Sequence, residues 1–198
     1  MKQFLLALAA LIFVSAPAHA DNSAAVQKAE TYLRGLTTAK ADFIQRSTLG
    51  GMLTGTFYLD RPGRLRFVYN EVKDFIVADG YFIYFYDSEL GEQTNAPIGQ
   101  TLADFLLRED LKLSGDLKVT EVYDRGGFTH LTFVQSDDPG AGSVELVFSD
   151  IPYQLRKWIV TDAQGAITEI ELKNMERDLE LDNSLFGYID PKPRGVNN

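Results

Sequence analysis

From Ala41 onward the chain breaks into short runs in which apolar and polar positions alternate, each run closed by Gly, Pro, Asp or Asn. That is the pattern of an antiparallel β-sandwich or barrel. The predicted strands are Asp42 to Thr48, Met52 to Asp60, Leu65 to Asn70, Asp74 to Ala78, Tyr81 to Asp87, Lys118 to Asp124, Phe128 to Gln135, Val144 to Ser149, Leu155 to Thr161 and Ile167 to Asn174. Between them stand Arg61-Pro62-Gly63, Asp79-Gly80, Arg125-Gly126-Gly127 and Asp162-Ala163-Gln164-Gly165, connections short enough that neighbouring runs pair antiparallel. Two segments depart from the strand period. Val26, Ala29, Leu33 and Leu36 recur at helical spacing, predicting a helix capped by Asn22 or Ser23 that runs to about Leu36 and plugs a core. Thr101-Leu102-Ala103-Asp104 reads as a capping box, after which Leu102, Phe105 and Leu106 fall on one helical face.

Aromatic residues sharpen this picture. Phe57 and Leu59 alternate with Thr56 and Tyr58, and Leu65, Phe67 and Tyr69 with Arg64, Arg66 and Val68, so these strands carry one apolar face. Tyr81-Phe82-Ile83-Tyr84-Phe85-Tyr86 presents bulky side chains to both faces, which predicts cover on both sides. A sheet of about ten strands curling around two helices encloses a large concave volume. Periodicity alone leaves two readings open: an ordinary packed core, or an apolar cavity where the helices leave space.

Composition then narrows the setting. Lys2, the apolar run Phe4 to Val14 and the small-x-small Ala18-His19-Ala20 have the form of a secretory signal peptide, residues 1–20, leaving residues 21–198 as one domain. The apolar run falls short of the roughly 20 residues a membrane-spanning helix needs. With no cysteine, stability is expected from sheet pairing and burial, and no N-terminal lipid anchor is expected. The chain holds 28 acidic against 19 basic residues, for a formal net charge of −9, and no basic stripe, so nucleic acid is not an expected partner.

Reactive motifs are scarce. Past the leader the one histidine is His130, inside a predicted strand, where a single hydrogen bond accounts for it better than a catalytic triad or metal site. No Gly-x-Ser-x-Gly elbow, phosphate-cradling loop or dinucleotide fingerprint is present. Glu169 and Glu171 share a strand face, as a two-carboxylate glycosidase requires, but so do pairs on any solvated strand. Asp137-Asp138-Pro139-Gly140 lacks the alternating oxygen ligands of a calcium loop and reads as a turn. The expectation is a protein that is not an enzyme, with no cofactor and no catalytic or metal-ligating residues.

One stretch is more specific. Gly-Thr-Phe-Tyr-Leu-Asp-Arg-Pro-Gly-Arg-Leu-Arg-Phe-Val-Tyr from Gly55, then Val-Ala-Asp-Gly-Tyr-Phe-Ile-Tyr-Phe-Tyr-Asp, then Glu-Gln-Thr ending at Thr94, closely resembles the outer-membrane lipoprotein carrier family, LolA. The resemblance extends less clearly over most of the chain past residue 20, including Asn183, Phe186 and Pro191. It implies a mainly β fold: an unclosed antiparallel barrel of about ten or eleven strands, with an N-terminal helix and a short helical lid over an apolar cavity. It implies a soluble, monomeric periplasmic carrier that takes lipoprotein acyl chains from an inner-membrane ABC-type release complex to an outer-membrane acceptor, which in some members is the anchored relative LolB. A module that senses lipoprotein or another amphiphile is the alternative on the same fold. By position Arg61 corresponds to a lid latch that donates to lid backbone, its other reading being a solvated turn residue. Leu102, Phe105 and Leu106 correspond to the lid's inward face. Phe57, Leu59, Leu65, Phe67, Tyr69, Phe75, Val77, Ile83, Phe85 and Trp158 are the expected acyl-chain lining, with Leu65 standing where the family often has an aromatic residue.

Overall fold

The computed structural model describes the backbone of residues 19–100 and 102–191, and side chains over 23–100 and 104–191. The leader assignment on residues 1–20, the cap at Thr101, the side chain of Leu102 and most of the tail after Pro191 therefore lie outside the described residues. A helix, α1 (His19–Arg34), comes first, followed by eleven strands that form one sheet. They are β1 (Thr38–Ser47), β2 (Met52–Asp60), β3 (Arg64–Tyr69), β4 (Phe75–Asp79), β5 (Phe82–Asp87), β6 (Glu92–Pro97), β7 (Leu117–Arg125), β8 (Phe128–Gln135), β9 (Gly142–Asp150), β10 (Tyr153–Asp162) and β11 (Ile167–Arg177).

The helix begins a turn earlier than expected, so Asn22 and Ser23 lie within it rather than capping it. Ala20, Ala24 and Ala25 are strong helix formers and nothing there breaks the backbone. It ends at Arg34 instead of reaching Leu36: Gly35 is a weak helix former, and the Leu36 N–H turns to the Leu33 carbonyl only three residues back, at 3.1 Å.

Spatial order in the sheet is β6-β5-β4-β3-β2-β1-β11-β10-β9-β8-β7, with antiparallel pairing throughout. Every neighbour is a sequence neighbour except at β1 and β11, where two meanders join. The edges β6 and β7 do not pair, so the barrel stays open. The chain must still travel from one edge to the other, and it does so through residues 98–116, which include a short 3-10 helix, Leu102–Leu106. We call this crossing segment the strap. Bulges in β11 between Lys173 and Glu176, where Asn174 has a φ of 51°, in β7 between Val119 and Glu121 and in β10 between Leu155 and Lys157 add local twist and help the sheet coil.

The concave face carries the core. Phe43, Phe57, Leu59, Leu65, Leu131, Phe133, Leu146 and Phe148 are all buried there, alternating with outward polar positions. Gly55 permits one close approach: a Cβ at this position would stand 2.0 Å from the Val68 carbonyl oxygen and 2.7 Å from the Phe43 ring. The Phe43 ring instead meets Phe67 and Tyr69 edge-on, at 5.1 and 5.2 Å.

The sequence pattern missed β6. Glu92 to Pro97 has no apolar alternation and is largely exposed, as suits an edge strand whose polar surface and terminal Pro97 discourage further pairing. The expectation that β5 is covered on both faces also needs correction. Ile83 is buried, but Phe82 and Phe85 are 40% and 37% exposed. On the convex side Tyr84 stacks at 4.4 Å on Tyr188 from the C-terminal segment, and Tyr86 at 5.2 Å on Phe75 of β4.

Candidate functional site: an apolar hollow under a strap

Beneath the strap the curled sheet leaves a hollow of about 280 Å³. From β3 come Leu65, Phe67 and Tyr69, from β5 Ile83 and Phe85, and from β10 Trp158, while Phe105 and Leu106 close it from the strap. Eight of the expected residues are thus brought together around one space. Ile76, Val160 and Ile170 complete the apolar wall, and Gln45 and Thr168 are its neutral polar members. No charged side chain lines it among the described residues. The Tyr69 hydroxyl donates to Gln45 Oε1 at 2.9 Å, which satisfies it. Burial, reinforced by the nearby Asp74 charge, pushes the Tyr69 pKa up to about 12, so this phenol stays neutral. A hollow of this kind disfavours water and accepts apolar chains. A second depression of about 340 Å³ shares Gln45, Tyr69, Ile76 and Phe85 and continues toward the rim at Leu53 and Leu90.

Four expected lining residues do not line the hollow. Phe57 and Leu59 are on the correct face but fully packed, Phe57 behind the rings of Phe67 at 4.9 Å and Trp158 at 5.6 Å. Phe75 and Val77 point to the opposite face. Val77 pairs with Arg66 and Phe75 with Val68, while Ile76 pairs with Phe67 and Ala78 with Leu65. Phe75 accordingly stacks on Tyr86 at 5.2 Å, under the Arg66 guanidinium. Phe-Ile-Val-Ala-Asp is apolar at four successive positions, which hides its phase, and only Asp79 opposite Arg64 marks the outward set. Val160 and Ile170 carried a readable signal: Val160 is two residues from Trp158, and Ile170 pairs directly with Trp158.

The strap is held by polar contacts to backbone. Arg61, at the end of the β2–β3 turn nearest β2, donates Nη1 to the Leu33 carbonyl in the last turn of α1 and Nη2 to the Arg108 carbonyl just past the short helix. Carbonyls at a helix C-terminus lack partners within the helix and carry the negative end of its dipole, which suits a guanidinium. Burial pushes the Arg61 pKa below the ordinary arginine value, and no carboxylate charge counters that shift. Its Nε is buried without a hydrogen-bond partner among the described residues. Beside it, Gly63 N–H donates to the Leu107 carbonyl at 2.9 Å. Within the strap, Arg108 pairs with Asp104 at 2.6 Å and with Asp116 at 2.7 Å.

The acidic pair considered for hydrolysis lies on the outer face. Arg46 bridges Glu169 and Glu171 at 3.0 and 3.1 Å, and Lys157 and Lys173 add further ion pairs. Burial tends to raise the Glu171 pKa, but the Arg46 hydrogen bond and the Lys173 charge outweigh it and hold the carboxyl below its usual range. A general acid needs the opposite shift. His130 also faces outward, with Nδ1 2.6 Å from Glu145 and its ring stacked on Tyr123 at 4.5 Å. No group of three or more metal-ligating side chains occurs among the described residues.

A family model described as outer membrane lipoprotein carrier protein LolA matches residues 34–188. A protein of Cupriavidus necator described as an outer-membrane lipoprotein carrier protein is 31% identical over 204 residues, covering 94% of this chain and 92% of that protein. One of the same description from Methylibium petroleiphilum is 28% identical over 193 residues, covering 93% of each. Among solved structures, a LolA superfamily protein from Nitrosomonas europaea has a TM-score of 0.42 at 11% identity, covering 84% of this chain and 97% of that one.

Proposed function

The chain belongs to the outer-membrane lipoprotein carrier family, LolA, and from that premise we propose that it is a soluble periplasmic carrier whose hollow shelters lipoprotein acyl chains in transit. The observation that carries this reading is a charge-free hollow walled on one side by a rigid sheet and on the other by a strap held to it mainly by backbone acceptors.

Three acyl chains hold about 45 methylenes, and exposing them to water costs on the order of 35 kcal/mol at roughly 0.8 kcal/mol each. Spontaneous crossing of the aqueous space is therefore excluded, and a carrier must offer a cavity nearly as favourable as the membrane. Volume decides the state seen in the structure. If a methylene fills about the 30 Å³ of a liquid water molecule, about 45 of them need roughly 1,300 Å³, and all the empty space in the hollow, its open mouth included, comes to about 840 Å³. The structure is thus the closed form, and loading requires Phe105, Leu106 and the rest of the strap to yield their places to the cargo.

Arg61 acts as the latch. It is a half-buried cation tied to two carbonyls without a carboxylate, so closure is favoured by only a few kcal/mol and cargo can be surrendered to a more apolar acceptor. Phe105, Leu106 and the inward residues of β3, β5 and β10 then contact the acyl chains. The sequence holds no nucleotide-binding loop, so directional loading draws its energy from a partner, an inner-membrane ABC-type release complex, and unloading passes to an outer-membrane acceptor of the LolB kind. Residues 1–20 serve as the cleaved leader and residues 21–198 as the single carrier domain.

The test is native mass spectrometry of the protein purified from periplasm of cells that overproduce a triacylated lipoprotein. A one-to-one complex, absent when the lipoprotein lacks its acylated cysteine, is expected. Recovery of the bare protein alone under both conditions overturns the proposal.

A further inference from the structure

On the carrier reading, opening must leave one part of the strap attached, and the contacts identify which. Helix α1 is fixed to the sheet. Ala29 and Leu33 are buried, the Tyr32 ring meets Phe148 and Tyr153 edge-on at 5.6 and 5.8 Å, and Arg177 donates to the Gly35 carbonyl at 2.8 Å. On this fixed helix Glu30 and Arg34, one turn apart, grip two nearby backbone groups of the strap. Glu30 Oε1 accepts the Leu113 N–H at 2.7 Å, and Arg34 Nη1 donates to the Leu111 carbonyl at 3.4 Å. Glu30 Oε2 accepts from the same Arg34 nitrogen at 3.5 Å, which aligns the pair. The Glu30 side chain is only 14% exposed, and Leu111 and Leu113 are buried on either side of the clasp.

We propose that Glu30 is a positioning residue of the carrier cycle: it pins the C-terminal end of the strap to α1, so that the strap lifts about the Leu111–Leu113 clasp instead of leaving the barrel as a whole. At the other end Gly99, in open space with φ of +100°, supplies a backbone conformation that other residues rarely adopt, and the strap pivots between these two points. Between them lie the contacts that opening must break: the Arg61 bond to the Arg108 carbonyl, the Gly63 bond to the Leu107 carbonyl, and the Arg108 pair with the exposed Asp116. The pin therefore lets the strap reclose in register after cargo leaves, because Phe105 and Leu106 remain on a tethered arm.

The inference rests on the carrier reading for its purpose, but its test needs no lipid, so the two fail separately. Amide hydrogen exchange on the full mature chain reads the Gly63 and Leu113 N–H groups individually, the first bonded to the part of the strap that lifts and the second in the clasp. In Arg61→Leu, Gly63 is expected to exchange at least about tenfold faster while Leu113 is unchanged. In Glu30→Ala, Leu113 is expected to accelerate about ten- to a hundredfold, the loss of a charged acceptor, whereas Glu30→Gln, which keeps an acceptor oxygen, restores protection to within about threefold. Leu131 and Leu146, in the middle of the sheet, report general loosening and stay protected in all three. If Glu30→Ala is too unstable to measure, Arg34→Met removes the donor to Leu111 and is expected to accelerate Leu113 as well. Simultaneous loss of Gly63 and Leu113 protection in Arg61→Leu, or unchanged Leu113 protection in Glu30→Ala or its Arg34→Met substitute, overturns the pin.

Discussion

Replacing Arg61 with Leu removes the bridge between α1 and the strap while keeping an apolar side chain in the half-buried site. Two hydrogen bonds from a charged donor contribute about 1.5–3 kcal/mol each. Against this stand the several kcal/mol that desolvating a guanidinium costs when no counter-ion accompanies it and the unsatisfied Nε. The net contribution to closure is therefore about 2 kcal/mol, equivalent to roughly a thirtyfold change in the closed-to-open ratio. A strap open about 1% of the time would then be open about a quarter of the time. Nitroxide labels at the exposed positions Glu109 on the strap and Glu89 in the β5–β6 turn read this directly as growth of a longer distance component. Arg61→Lys is expected to fall between, since a single ammonium lacks the planar fork that reaches two carbonyls at once. An Arg61→Leu distribution that superimposes on the parent refutes the latch. So does a lowered urea midpoint with no new distance component, because that result assigns Arg61 to global stability.

Two further outcomes test the frame around the hollow. Gly55→Ala forces a Cβ to within 2.0 Å of the Val68 carbonyl oxygen, so backbone must move, and a loss of about 3 kcal/mol is expected, seen as a fall of about 1–2 M in the urea midpoint; an unchanged midpoint contradicts the packing. Tyr69 has its pKa raised from 10.0 to about 12 by burial and the Asp74 charge. The folded state thus keeps the phenol protonated where the unfolded chain has lost its proton. Its contribution is complete below pH 10 and is lost between about pH 10 and 12, on the order of 2–3 kcal/mol. Tyr69→Phe is expected to flatten stability across that window, and an unaltered alkaline slope contradicts the assignment.

The sequence and the structure agree where one face of a strand is plainly apolar and the other plainly polar. Leu65, Phe67 and Tyr69 against Arg64 and Arg66 left no doubt about phase, and these residues line the hollow. Agreement failed where the local chemistry was uniform. Phe75 to Ala78 is apolar throughout, so its phase is set by pairing with β3, a long-range fact that periodicity does not contain. Glu92 to Asn95 is polar throughout, so the strand conformation of β6 comes from the hydrogen-bonded edge of β5. Arg61 could be placed at the strap only through the family resemblance, since no spacing rule brings the β2–β3 turn to the Arg108 carbonyl. Glu30 was not legible at all: a glutamate on an amphipathic helix looks like solvated surface until the strap crosses it.

Acyl chains that occupy the hollow beneath the strap must meet the chain's one tryptophan, which sits in its wall. Trp158 is 5% exposed in the closed form, so an aqueous quencher reaches it poorly whereas a chain in the hollow touches it. Titration with a triacylated lipopeptide brominated along its acyl chains is the direct measurement. Saturable quenching of Trp158 at one lipopeptide per protein is expected, with no quenching by the unbrominated form and no competition from the deacylated peptide. Undiminished Trp158 emission in the presence of a bound brominated lipopeptide would place the acyl chains outside the hollow and rule out carriage beneath the strap.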